Sequence, residues 1–247
     1  MDMQTANVNR STAPLKNVVN MMVLIDAMRS RDQHSSSLAV FSGPSGYGKS
    51  FAARYAQNYT QGIYVEVKFG WTRKIFLTSL LIELGENNPR GTCGDMYLEI
   101  VKRLGSDPMR PLIIDEADYL LDKGLVEYAR DFGDSAGVPV ILIGEEKLPS
   151  KLALIEKVDN RVLERVLAVP CDLDDAKTLA RLLCPKLDLS DGLLQQFLDK
   201  TKGRTQRLVN TLNDVRKFAR RSGTDTLDVE TYQGPIDTAH VPVRSAK

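Results

Sequence analysis

Cysteine is scarce: the 247 residues hold three, Cys93, Cys171 and Cys184. They are odd in number, far apart, and form no Cys-x-x-Cys pair with histidines. That pattern excludes a disulfide framework and a structural zinc site, and it points to a reducing cytoplasm. Aromatics make up 6% with a single tryptophan, Trp71, which argues against wide stacking platforms for single-stranded nucleic acid. No apolar run approaches the roughly 18 residues of a membrane span. The N-terminal stretch MDMQTANVNRSTAPLKN lacks the apolar core of a secretion signal. Charge of one sign is also missing: 33 basic against 32 acidic residues give a net +1. That balance excludes a uniformly basic DNA-coating protein but not a basic face.

What is present is the composition of a globular protein with a real core, 43% apolar and 26% charged. Leu15, Val18, Val19, Met22 and Ile25 recur at helical spacing and predict a helix over 15–28. Short apolar runs at Leu38–Ser42, Ile63–Val67, Pro111–Ile114, Val138–Ile143 and Val166–Val169 predict five strands. The intervening segments Phe51–Asn58, Ile75–Leu84 and Asp95–Leu104 read as helices, so the expected fold is α/β, a parallel sheet flanked by helices. After Pro170 the pattern changes to amphipathic helices at 174–183, 190–201 and 205–221 with no strand between them. The expected organisation is a flexible N-terminus (1–14), a P-loop core (15–171), a small C-terminal helical lid (172–222) and a polar tail (223–247).

The strongest motif is Gly43-Pro44-Ser45-Gly46-Tyr47-Gly48-Lys49-Ser50, which fits G-x-x-x-x-G-K-[ST] between a strand and a helix. Its glycines bring backbone N–H groups to phosphate oxygens, Lys49 supplies charge to the β- and γ-phosphates, and Ser50 is placed to ligate Mg²⁺. The helix that starts near Lys49, with Phe51 in its first turn, aims its positive dipole end at the anion. The second motif is Leu112-Ile113-Ile114-Asp115-Glu116. A strand ending in acids puts carboxylates at the ligand-binding edge of a parallel sheet. Asp115 is assigned to Mg²⁺ and Glu116 to activation of the attacking water. The alternative for both is a helix N-cap with acids near the dipole. Asp118 is expected to be solvated or capping.

These residues resemble the AAA+ ATPases: GPSGYGKS looks like their Walker A, LIIDEAD like their Walker B, and the helices after Pro170 like their lid. Within that superfamily the chain most resembles the transposition ATPases, such as the B protein of Mu-like transposable phages, with TnsC and IstB as relatives. The resemblance implies bound ATP and Mg²⁺, slow ATP hydrolysis stimulated by DNA or a transposase, and homo-oligomers as a ring or helical filament. It also implies duplex DNA and a transposase as partners, no membrane, and a cytoplasmic site (the host's, if the chain is phage-encoded). The other reading of the same core is a helicase-loader-like ATPase of DNA replication. The resemblance further places a sensor residue after the fourth strand, where Glu145 stands instead of the family's frequent Asn. It places an arginine finger before the fifth strand, at Arg161 or Arg165, which share a face if helical. A second lid sensor falls at Arg207, with Arg204 as the alternative.

The near-zero charge hides an imbalance. Residues 200–221 hold eight bases and one acid, and residues 115–134 hold seven acids and two bases. Arg216, Lys217, Arg220 and Arg221 are therefore candidates to track DNA phosphates, or else form a solvated face. After the second strand, Lys68, Thr72, Arg73 and Lys74 form another candidate set, in a part of the core that faces DNA in the resembling filament-forming ATPases. Trp71 beside them either touches DNA or packs on the next helix. No recognition helix is evident, so the expected binding is sequence-tolerant and strongly salt dependent.

Overall fold

The structure is a computed structural model that describes residues 14–32 and 34–238. The start of the N-terminus (1–13) and the end of the tail (239–247) lie outside the described residues. The chain divides into two compact units. One comprises residues 17–45 and 49–168. The other takes the described residues from 169 onward, the short piece 46–48 and the residues up to Lys16.

The first unit is built on a five-stranded sheet ordered β2-β3-β4-β1-β5. The strands are β1 (Leu38–Ser42), β2 (Ile63–Glu66), β3 (Leu112–Asp115), β4 (Val140–Gly144) and β5 (Val162–Leu167), and each pairing is parallel. Parallel neighbours need crossovers, and helices supply them. These are α2 (Lys49–Thr60), α3 (Arg73–Glu83), α4 (Cys93–Gly105), α5 (Asp118–Asp122), α6 (Val126–Ala136), α7 (Leu148–Leu152) and α8 (Glu156–Asp159), while α1 (Lys16–Arg29) precedes the sheet. β1 and β4 are buried along their whole length, which is why they contain no charge. Leu38, Val40, Ile114, Val140 and Leu142 share a core with Phe76, Leu80, Ile100 and Phe132 from the helices on that face. α4 starts on a capping box: Thr92 Oγ1 accepts from Asp95 N–H, and Asp95 Oδ2 accepts from Thr92 N–H at 2.9 Å.

Three expectations about the elements of the first unit change. The face of α1 is Val18, Met21, Leu24, Ile25 and Met28, whereas Val19 is 50% exposed and Met22 half-buried. The segment is apolar on most sides, so spacing alone does not choose its face. β5 begins at Val162, four residues before the expected Val166, which makes Arg165 a strand residue and leaves Arg161 just before the strand. The two arginines are therefore not on a helix. β5 is an edge strand, and an edge accepts charged side chains that a central strand excludes. Helices α5 to α8 fill stretches where no helix is expected. α6 had a readable signal, since Val126, Ala129, Phe132, Gly133 and Ala136 are its buried positions.

The second unit is helical: α9 (Leu173–Leu183), α10 (Asp191–Thr201) and α11 (Thr205–Ser222) pack on one another. Asp172 and Ser190 cap α9 and α10, and Gly223 ends α11 in the left-handed region at φ 67°. Contrary to expectation, the unit does hold strand: β6 (Asp188–Leu189) and β7 (Thr226–Leu227) form a two-residue parallel pair. The described part of the polar tail packs back on this unit. Tyr232 is buried edge-on against Phe197 and Phe218 and donates its hydroxyl to Pro235 O. Asp237 N–H donates to Thr211 Oγ1 at 3.0 Å. One aromatic among polar neighbours anchors a stretch that composition alone leaves unplaced.

Phe132 is fully buried in a ring cluster with Phe76, Tyr97 and Tyr128, at centroid distances of 6.5, 5.6 and 6.0 Å. Phe132→Ala is expected to cost about 3–5 kcal/mol, read as a lower urea midpoint at unchanged slope. A loss below about 1 kcal/mol would place the cluster outside the core.

Candidate functional site

The P-loop joins β1 to α2. Gly46 and Gly48 have φ of 85° and 79°, which side chains rarely adopt. Both lie close to the start of α11 within the second unit. A Cβ on Gly48 would sit 3.3 Å from Thr205 Oγ1, and one on Gly46 would lie 3.7–3.9 Å from the Arg204 side chain. Gln206 N–H donates to Gly46 O at 3.2 Å. Tyr47 and Gly48 complete the loop, and Lys49, Ser50 and Phe51 form the first turn of α2, Ser50 and Phe51 being exposed.

Within the first unit, the Lys49 ammonium donates to Gly43 O at 2.6 Å and Pro44 O at 3.0 Å. Burial lowers its pKa, while Asp115, Glu116, Glu145 and Asp118 pull it back up. Asp115 ends β3 and is 2% exposed. Its Oδ2 accepts from the buried Tyr64 hydroxyl at 2.8 Å, and its Oδ1 accepts from Glu116 N–H at 2.9 Å. Burial, then the Asp115 charge, pushes the Tyr64 phenol far up, so it stays a donor. The Arg54 guanidinium stacks 3.7 Å from the centre of that ring. Tyr64 and Arg54 carry no motif of their own; only the pairing of β2 with β3 brings Tyr64 to the acid.

Glu116 follows at φ 55°, a left-handed backbone that costs a non-glycine residue about 1–3 kcal/mol. Burial first, and Asp115 second, raise its pKa above the ordinary 4.5, with Lys49 opposing. Among the described residues no group of three or more His, Cys, Asp or Glu is placed to hold a metal. That does not conflict with Mg²⁺, which takes one or two protein oxygens and fills its shell with phosphate and water. Ser50 and Asp115 offer those oxygens.

Asp118 is not solvated. It is 7% exposed and holds Glu145 N–H and the Lys151 ammonium on its two oxygens. Nor does it cap α5, which has no side-chain cap. Its partners lie 27 and 33 residues away in sequence, so no local pattern reveals them.

The remaining candidates are scattered over the surface. Arg161 pairs with Asp134 at 3.5 Å, and Arg165 with Asp159 at 2.7 Å. Both pairs are exposed and worth about 0–1 kcal/mol. Arg207 lies in the first turn of α11 and donates to Thr238 O at 3.4 Å, whereas Arg204 lies along Gly46. In the loop after β2, Lys68 pairs with Glu66, Thr72 caps α3, and the Arg73 guanidinium lies 5.9 Å from the Tyr128 ring centre. Lys74 is exposed, and Trp71 packs against the core. Phe69, not singled out in sequence, is 83% exposed with its ring edge-on to Tyr119. On α11, Lys217 pairs with Asp214 and Arg216 donates to Asn213, while Arg220 and Arg221 are exposed in the last turn.

No curated protein is significantly similar to the chain. Solved structures share its fold. The ORC2 protein of Aeropyrum pernix, solved in ADPNP–ADP complexes, superposes with a TM-score of 0.66 at 14% identity over 87% of this chain and 66% of that one. The ORC1 protein of the same organism, in complex with DNA, gives 0.63 at 17% identity over 87% and 63%. Cdc6p from Pyrobaculum aerophilum gives 0.61 at 15% identity over 85% and 63%. The chain thus spans a little under two thirds of each of these proteins, and at such identities the likeness is one of fold. Among the described residues no helix is long and apolar enough to cross a membrane. Residues 31–152 match the family model of the AAA domain, and the five-stranded parallel sheet flanked by helices has the fold of an AAA+ P-loop ATPase core.

Proposed function

We propose that the chain is an ATP-dependent AAA+ ATPase that oligomerises on duplex DNA and regulates transposition, through target selection and transposase activation. The observation that carries the nucleotide half is the shared field of Lys49, Asp115 and Glu116 at the carboxyl edge of the sheet. The DNA half rests on the two basic segments and is supported by the likeness to ORC1 solved with DNA. The transposition setting rests on the sequence resemblance alone.

In this reading the loop N–H groups and Lys49 receive the β- and γ-phosphates. Ser50 and Asp115 would hold Mg²⁺, which would supply neutralisation of phosphate charge. Glu116 takes a proton from water as the water oxygen attacks the γ-phosphorus. The bond to the bridging oxygen then breaks, leaving ADP and phosphate. Arg161 or Arg165 serves a neighbouring copy's nucleotide, since the exposed ion pairs that hold them break at little cost. Lys68, Thr72, Arg73, Lys74, Arg216, Lys217, Arg220 and Arg221 contact DNA phosphates, which makes affinity fall steeply with salt.

Lys49→Ala is expected to abolish nucleotide binding. Glu116→Gln is expected to keep binding, lose turnover and prolong the oligomer, followed by light scattering. The raised Glu116 carboxyl has a pH signature. A base works deprotonated, so kcat/KM falls as pH falls through its pKa, and this limb sits above the ordinary 4.5. An acid limb at or below that value would remove Glu116 as the base. Imaging with duplex DNA and a slowly hydrolysed ATP analogue tests the assembly: ordered oligomers are expected, and isolated molecules would overturn the proposal. Preference for single strands and direct capture of a helicase would favour the loader reading.

A further inference from the structure

Asp118 is a buried carboxylate that the chemistry above does not use. Its Oδ2 accepts from Glu145 N–H at 2.8 Å and its Oδ1 from the Lys151 ammonium at 2.9 Å. Glu145 directly follows β4, and Lys151 lies in α7. One side chain therefore ties the start of α5 to the end of a central strand and to the helix beyond it. The approach requires glycine at 144, because a Cβ there would run into Asp118 Oδ2 and the Leu148 side chain. Sealing a carboxylate away from water costs several kcal/mol unless its oxygens are satisfied by hydrogen bonds and a countercharge. Here both are provided, and none of it serves the caps of α5. What the arrangement fixes is the Gly144–Glu145 peptide; the Glu145 carboxylate acts on both Lys49 and Glu116, as does the Asp118 charge itself, so a variant that keeps the acceptor but not the charge separates the two effects.

We infer that Asp118, with Lys151 as its counter-cation, is a positioning residue that fixes the Gly144–Glu145 peptide and thereby the placement of Glu145 beside the hydrolytic groups. Its two oxygens are taken up by the Glu145 N–H and the Lys151 ammonium. The inference rests on the ATPase reading. A misplacement of about 1 Å in such a site costs rates on the order of a hundredfold, so the effect belongs in kcat rather than in binding.

The experiment compares full-length wild type, Asp118→Ala, Asp118→Asn and Lys151→Met. It measures ATP affinity, kcat, and hydrogen exchange of residues 143–147 without nucleotide. Asp118→Ala is expected to speed exchange at the Glu145 amide and to lower kcat about tenfold or more. Its ATP affinity should stay within about threefold, under 1 kcal/mol. Asp118→Asn keeps an acceptor for the Glu145 N–H and should recover most of the rate. Lys151→Met should fall between the two. Unchanged exchange or wild-type kcat in Asp118→Ala overturns the inference, as does parallel loss of binding and rate. If the alanine variant does not fold, Lys151→Met decides: a wild-type rate and wild-type exchange in it overturn the role. Wild-type protein with no ATP turnover, but with the expected exchange difference, sinks the ATPase reading and leaves the peptide clamp standing.

Discussion

One ammonium group among four carboxylates organises the first unit. Lys49 is half-buried and turned onto the carbonyls of Gly43 and Pro44, while Asp115, Glu116, Asp118 and Glu145 all act on its charge. The acids are held by different devices. Asp115 is clasped by the Tyr64 hydroxyl and the Glu116 amide, Glu116 is placed by a strained backbone, and Asp118 is sealed by Glu145 N–H and Lys151. Each device depends on the parallel order β2-β3-β4-β1, which brings three strand ends to one edge. The sheet is thus a frame for charge as well as a core.

The same edge makes sense of the even charge count. Acids gather at 115–134 and bases at 200–221, so the net of +1 conceals two regions of opposite charge. The acids at the sheet edge are satisfied internally or face Lys49. Many of the bases are not internally consumed: Arg220 and Arg221 sit exposed at the end of α11, and Lys74 at the start of α3. On the proposed reading, these exposed bases of each unit are the ones left to meet a polyanion.

Much of this was legible in the sequence because it is local. The P-loop is a contiguous string whose glycines and lysine each have a physical reason, and the uncharged runs of β1 and β4 announce a doubly buried sheet. The strand-end acids follow directly from their position after Ile114. What was not legible depends on distant partners. Asp118 reads as a surface acid until β4 and α7 are placed around it. Tyr64 reads as a strand residue until β2 pairs with β3. β5 hides behind its charges because it is an edge, and the face of α1 is ambiguous because the helix is apolar on most sides. The docking of residues 224–238 depends on Tyr232 finding Phe197 and Phe218, contacts that composition does not encode.

On the proposed reading, this edge receives the phosphates of a nucleotide together with a divalent cation. Calorimetric titration of the full chain with ATP, in Mg²⁺ and again in a chelator, tests it most directly. Saturable binding of one ATP per chain, weakening markedly when Mg²⁺ is removed, is the expected result. Absence of saturable binding, or an affinity indifferent to Mg²⁺, would contradict it.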